Sequence, residues 1–261
     1  MKKKSKVIRI GLAVTAAALL FGGIYLLFRD DAAQKIEWNK IKDYAPTPIV
    51  CEALDDAVKS NENNEIIAEI PQKIADEMTS QVQEFSENYD NSVGWIYVPD
   101  THINYPIMQS HDNDFYLHRA TDGSYLYVGS VFMDYRCSAD FSGVSSILYG
   151  HNMSDGSMFA DVKKFTYNAF FNSHRYGWLT TENDVFCVQF FAVDIVENTS
   201  GIYNTESDWR TVMSEVVNCA VIYDDIEISN TNKLLMLSTC TGANSDSRTV
   251  LVGKIMEDEN L

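Results

Sequence analysis

Three residues in the C-terminal half of this 261-residue chain have side chains and settings suited to nucleophilic chemistry. Cys240 ends an apolar run, Leu234-Leu235-Met236-Leu237-Ser238-Thr239, and Thr241-Gly242 follows it. A thiol leaving a buried strand beside a turn is held rigidly and still meets solvent, as a nucleophile requires. His151 has a like setting, after Ser146-Ile147-Leu148-Tyr149 and within Gly150-His151-Asn152. An imidazole there can serve as acid or base near neutral pH. Arg248 follows the polar stretch Ala243-Asn244-Ser245-Asp246-Ser247 and opens the last strand-like run. Its guanidinium stays charged and offers donors to a developing oxyanion. Taken singly, each residue has an ordinary structural explanation, because most buried cysteines are core and most arginines are surface. Together they mark the ends of three late strands, and Cys240 and Arg248 flank one short connection.

The elements that must position them begin at Val93. GWIYVP, INYPIMQ, YLYVGSVFMDY, VSSILYG, YGWLTT, DVFCVQFFAVDIV, KLLMLSTC and RTVLVGKIM are short runs rich in β-branched and aromatic residues, separated by Asp, Asn, Gly and Ser. Eight candidate strands in this stretch predict a mostly β domain, a sandwich or a closed barrel, rather than alternating βα units. Helical interruptions are expected near 113–118, 157–171 and 207–219, the last capped by Ser207 or Asp208 and carrying Trp209, Val212, Val216 and Cys219 on one side. Residues 29–90 read as a polar helical neck, with apolar residues at helical spacing over 36–44 and 50–58 and a helix start or kink at Pro71.

In this setting the chain resembles the sortase family, and within it the class B type, over residues 90–256. Met236-Leu237-Ser238-Thr239-Cys240 matches the family's Thr-Leu-x-Thr-Cys strand except at its first position. Arg248 matches the family arginine on the next strand, and His151 matches the family histidine within Tyr149-Gly150-His151-Asn152-Met153. Further blocks are similar to class B: Gly94-Trp95-Ile96, Ile103-Asn104-Tyr105-Pro106, Asp112-Asn113 through Tyr116-Leu117, Gly129 through Arg136, and Asp155 through Phe159. The resemblance implies a closed eight-stranded β-barrel with N-terminal helices and a helix between its sixth and seventh strands.

It also implies a reaction. Cys240 attacks the carbonyl of a Thr in a C-terminal sorting signal of a surface protein, NPxTN-like or PxTG-like, leaving a thioacyl enzyme. An amine of the peptidoglycan cross-bridge then resolves that intermediate. His151 is the acid and base, and Arg248 holds the oxyanion. Asn113, Leu117, Ser238 and Thr239 match positions that contact substrate. The resemblance implies no cofactor and no metal. His111-Asp112-Asn113-Asp114 with His118 is a conceivable ligand group, but no second cluster completes it. Two rival functions use the same residues or none of them. A membrane-tethered cysteine protease would hydrolyse the same intermediate, and a non-enzymatic surface binding module would not need Cys240 at all.

Charge and hydropathy address the chain to a membrane. Residues 10–28 carry no charge, and a helix of 19 residues at about 1.5 Å each nearly spans a bilayer core. Six of the 20 Lys+Arg lie in residues 1–29, where there is no acid, so 14 remain against all 37 Asp+Glu in the rest. The basic tail, 1–9, is expected in the cytoplasm and the span, 10–28, is expected in membrane lipid as a signal anchor. The neck, 29–90, and the catalytic β-barrel domain, 91–261, then lie on the outer face. So acidic a body excludes nucleic-acid binding, which requires clustered Lys and Arg. Five cysteines are too few for a disulfide scaffold of this size.

Overall fold

The computed structural model describes residues 32–47, 50, 54, 57–60, 66–242 and 245–256. The expected cytoplasmic tail and membrane span lie outside the described residues, and among those residues no helix is long and apolar enough to cross a membrane. The chain divides into two compact units at 43/44. The first contributes a helix over residues 32–41.

In the second unit, strands β1 (Val58–Ser60) and β2 (Ile66–Ala68) pair antiparallel, Lys59 opposite Ile67. This ladder stands where the apolar spacing predicted only helix. The helix α1 (Gln72–Asn88) starts directly after Pro71. A proline fits the first turn because the N–H it lacks has no helical partner there. Met78, Val82 and Phe85 recur at helical spacing and are the buried face of α1. Phe85 meets Trp95 of the barrel edge to face, with centroids 5.7 Å apart.

The eight runs picked out in the sequence are the eight barrel strands: β3 (Ser92–Tyr97), β4 (Asn104–Met108), β5 (Phe132–Met133), β6 (Ser145–Tyr149), β7 (Tyr176–Thr180), β8 (Val185–Glu197), β10 (Lys233–Cys240) and β11 (Ser247–Ile255). Their order is β11-β10-β6-β5-β4-β3-β7-β8, and β8 pairs back onto β11, which closes the ring. A ninth strand, β9 (Ala220–Tyr223), is appended to β8 outside the ring. β8 is long and buried along most of its length because it pairs with β7, β11 and β9. Such a strand reads as a continuous apolar run, as its sequence does.

Short 3-10 turns at Tyr116–His118 and Ala160–Thr166, and the helix α2 (Asn168–Ser173), occupy two of the expected helical interruptions. The third is α3 (Trp209–Cys219), which lies between the sixth and seventh barrel strands. The Asp208 side chain caps it by accepting from the Thr211 N–H at 3.0 Å. Val212, Met213 and Val216 of α3 enter the core shared with Phe190, Phe191, Leu235 and Leu237.

Candidate active site

The site forms where β6, β10 and β11 end together. β10 runs parallel to β6 with Ser238 opposite Tyr149, and antiparallel to β11 with Cys240 opposite Arg248. Directly opposed residues of an antiparallel pair have Cβ atoms about 4.5–5.5 Å apart on the same face of the sheet. Neighbouring strands lie about 4.8 Å apart. The residue two positions beyond Tyr149 is His151, so thiol, imidazole and guanidinium share one sheet end with Cys240 on the central strand.

Backbone and side-chain ties hold His151 there. The Gly150 N–H donates to the Ser238 carbonyl at 3.2 Å, and the Thr239 hydroxyl donates to the Gly150 carbonyl at 2.8 Å. The His151 carbonyl accepts from the Phe159 N–H at 2.9 Å. The Asn152 side-chain amide donates to the Cys240 carbonyl at 2.8 Å. A Cβ on Gly150 would lie 2.6 Å from the Phe159 ring, so only glycine lets that ring pack beneath the histidine. The imidazole itself donates from Nε2 to the Leu117 carbonyl at 2.9 Å. A carbonyl oxygen only accepts, so Nε2 carries a hydrogen and Nδ1 is free to exchange a proton. The Leu117 carbonyl is fixed in turn by Gly129. That residue sits at φ +59°, and a Cβ on it would come within 2.4 Å of the carbonyl oxygens of Tyr116 and Leu117. Burial holds the His151 imidazole below its ordinary pKa and the charge of His118 adds to this, while the bond to Leu117 opposes both.

Arg248 is half-buried and donates from one guanidinium nitrogen to the carbonyls of Ser245 at 2.7 Å and Ser247 at 3.3 Å. Its other nitrogens have no partner among the described residues. The Tyr203 hydroxyl shares a 2.8 Å hydrogen bond with that of Ser238, which lies two residues before Cys240 on the same face. Burial pushes the Tyr203 hydroxyl up to about 12, and it feels the charges of both Arg248 and Cys240. It is therefore within electrostatic reach of the pair, a neighbour that the sequence offered no signal for.

The four other site residues read from the sequence are all built into this end of the barrel. The Ser238 and Thr239 hydroxyls make the bonds given above, and both residues are buried. Leu117 supplies its carbonyl to His151. The Asn113 side chain donates to the Asp134 carboxylate at 3.0 Å and accepts from the Tyr135 N–H at 3.0 Å. Asp134 is fully buried and takes further bonds from Arg136 through Nε at 2.9 Å and through a terminal nitrogen at 2.7 Å, and from the Tyr149 hydroxyl at 3.0 Å. Burial alone would raise its carboxyl, but these donors outweigh it and hold the pKa below the usual range.

The remaining described cysteines are free thiols. Burial pushes Cys137 up to about 11 and Cys187 up to about 12, which suits core residues rather than nucleophiles. Cys51 lies outside the described residues. His111 pairs with Asp112 at 3.2 Å, and His118 turns away from them to the Tyr127 carbonyl. Among the described residues no group of three or more His, Cys, Asp or Glu is placed to hold a metal ion.

Comparison with known proteins agrees with this geometry. A model of the sortase domain family matches residues 96–256. Sortase B of Listeria monocytogenes is 32% identical over 188 residues, which cover 69% of this chain and 76% of that protein. Sortase B of Staphylococcus aureus is 28% identical over 171 residues, 63% and 70% respectively. Among solved structures, a Staphylococcus aureus sortase B–substrate complex superposes with a TM-score of 0.64 at 25% identity, covering 69% of this chain and 86% of that one. A Streptococcus pyogenes class B sortase involved in pilus biogenesis gives 0.61 at 27% identity, covering 67% and 97%.

Proposed function

From the premise that this chain belongs to the sortase family, as a class B cysteine transpeptidase, we propose that Cys240, His151 and Arg248 perform its reaction on a C-terminal sorting signal. The observation that carries this assignment is the shared strand end, with Cys240 opposite Arg248 and His151 tethered beside it.

The Cys240 thiolate adds to the carbonyl carbon of the signal's Thr, forming a C–S bond and an oxyanion. The uncommitted guanidinium nitrogens of Arg248 stabilise that oxyanion. His151, as imidazolium, gives the Nδ1 proton to the departing nitrogen as the C–N bond breaks. The acyl group is then a thioester on Cys240, and His151 is neutral. An incoming amine attacks the thioester, Nδ1 takes its proton, and collapse releases the thiolate and a new amide. Both half-reactions use the same imidazole, once in each protonation state.

The substrate would lie over the face that carries Ser238 and Tyr203, beside Leu117, with Asn113 and Thr239 holding the surrounding loops. An NPxTN-like or PxTG-like signal is the donor and a peptidoglycan cross-bridge amine is the acceptor. In support, the Staphylococcus aureus relative has been solved with a substrate and, separately, with triglycine. The charge-free stretch 10–28 and the basic residues before it support a single-pass anchor in membrane lipid, with the N-terminus cytoplasmic and the catalytic domain outside. Cleavage of a peptide library spanning both motif types, with and without triglycine, tests the assignment. Cleavage after Thr with amide formation is expected, and cleavage that never joins triglycine would make the enzyme a hydrolase.

A further inference from the structure

Three rings run in a line from the surface to the proposed acid–base group. Exposed Tyr127 stacks on His118 with centroids 5.8 Å apart and planes 21° apart, and His118 stacks on His151 at 5.5 Å and 27°. The two imidazoles are anchored alike. His118 donates from Nδ1 to the Tyr127 carbonyl at 2.7 Å, as His151 donates from Nε2 to Leu117. Each ring therefore has one nitrogen committed to a carbonyl and one free. Leu117 and His118 are consecutive, so a single 3-10 turn (Tyr116–His118) both fixes the tautomer of His151 through its backbone and covers a face of that ring with a second imidazole.

We propose that His118 is a positioning residue for the transpeptidation: stacked on His151 and tethered to Tyr127, it sets how readily that imidazole takes its second proton. This rests on the reading of His151 as the acid–base group and adds a control on its protonation. Two imidazolium rings at this separation repel, so a proton on His118 opposes one on His151. Burial of His151 works in the same direction. The mechanism needs the imidazolium form to expel the leaving amine, so His118 governs the fraction of enzyme ready to react.

Other charged and titratable groups surround the pair. Tyr127 covers the far face of His118. Arg119, next in the chain, is turned away, with its guanidinium 4.8 Å over the Phe115 ring and donating to the Gly123 carbonyl at 2.8 Å. The Asp112 carboxylate opens the turn by accepting from the N–H groups of Asp114 and Phe115. Cys240 and Arg248 stand on the strands beside His151.

The test is an NMR titration of the His151 ring, assigned by its loss in His151→Asn, in the wild type, His118→Phe and His118→Arg. Phenylalanine keeps the stack and removes the charge, whereas arginine stacks and stays charged throughout. The His151 midpoint is expected to rise by roughly half a unit or more in His118→Phe and to stay low in His118→Arg. With peptide substrate, kcat should follow the midpoint while KM changes little. Equal midpoints in all three proteins, or a rise in both variants, would overturn the proposal. The titration needs no turnover, so it is read independently of whether Cys240 acylates.

Discussion

Cys240 and Arg248 are directly opposite each other across the antiparallel ladder of β10 and β11. Seven residues separate them in sequence, and the connection bends back tightly enough for the Arg248 guanidinium to bond the carbonyls of Ser245 and Ser247. The nucleophile and the oxyanion donor thus share one rigid two-stranded unit, and neither depends on a mobile loop for its distance from the other.

Arg248→Ala should lower kcat/KM by about 10²–10³, the usual effect of losing one oxyanion donor, which corresponds to about 2.7–4 kcal/mol of barrier. The fold should survive, because the lost bonds lie in an exposed turn. Thermal melting beside steady-state kinetics on a sorting peptide checks this. A variant that melts normally and turns over normally would remove Arg248 from the chemistry.

Asn152→Ala removes the side-chain bond to the Cys240 carbonyl that ties the histidine loop to the nucleophile strand. A stability loss of about 1 kcal/mol is expected for one such hydrogen bond. The drop in kcat should exceed that loss, because His151 is no longer held beside the thiol. Urea unfolding and kcat measured on the same preparation separate the two effects.

Gly129→Ala acts at longer range. Its Cβ would collide with the carbonyls of Tyr116 and Leu117 at a positive φ, so the carbonyl that holds His151 must move. A destabilisation of about 1–3 kcal/mol accompanied by lost activity is the expected result. Retention of both would mean that the Leu117 bond does not position the imidazole.

Asp194 on β8 is fully buried, and neither of its carboxyl oxygens has a partner. Burial pushes its pKa up to about 8, against about 4 for an unfolded chain. Between those values the folded protein keeps the proton and the unfolded chain has released it, so stability falls as pH rises through that window. Asp194→Asn removes the titration. The unfolding free energies of the variant at about pH 5 and about pH 8 should lie closer together than those of the wild type. An unchanged difference would show that Asp194 does not titrate in that range.

Much of the site was legible in the sequence for a physical reason. Cys240, His151 and Arg248 each sit where an apolar run meets a polar turn, and such junctions are the ends of strands. All eight barrel strands could be found from β-branched and aromatic content. Residues that act through distant partners carried no such mark. Tyr203 meets Ser238 across 35 positions and Asn152 meets Cys240 across 88, and nothing local in either sequence setting announces the contact. The run 125–135 read as one long strand, yet only Phe132–Met133 pair as β5. Gly129 turns the chain at a positive φ, and the preceding residues bond instead to the 116–120 segment. The β1–β2 ladder was hidden for another reason: the residues just before it carry apolar side chains at helical spacing, which extended the expected neck helix through it.

Intact-mass and peptide-mapping mass spectrometry of enzyme quenched during turnover of a sorting peptide tests the central assignment most directly. The account predicts an acyl adduct on the peptide containing Cys240 that disappears when triglycine is added, with the Thr carboxyl recovered as an amide of triglycine. An adduct on another residue, or a Thr product released only as the free acid at every triglycine concentration, would contradict it.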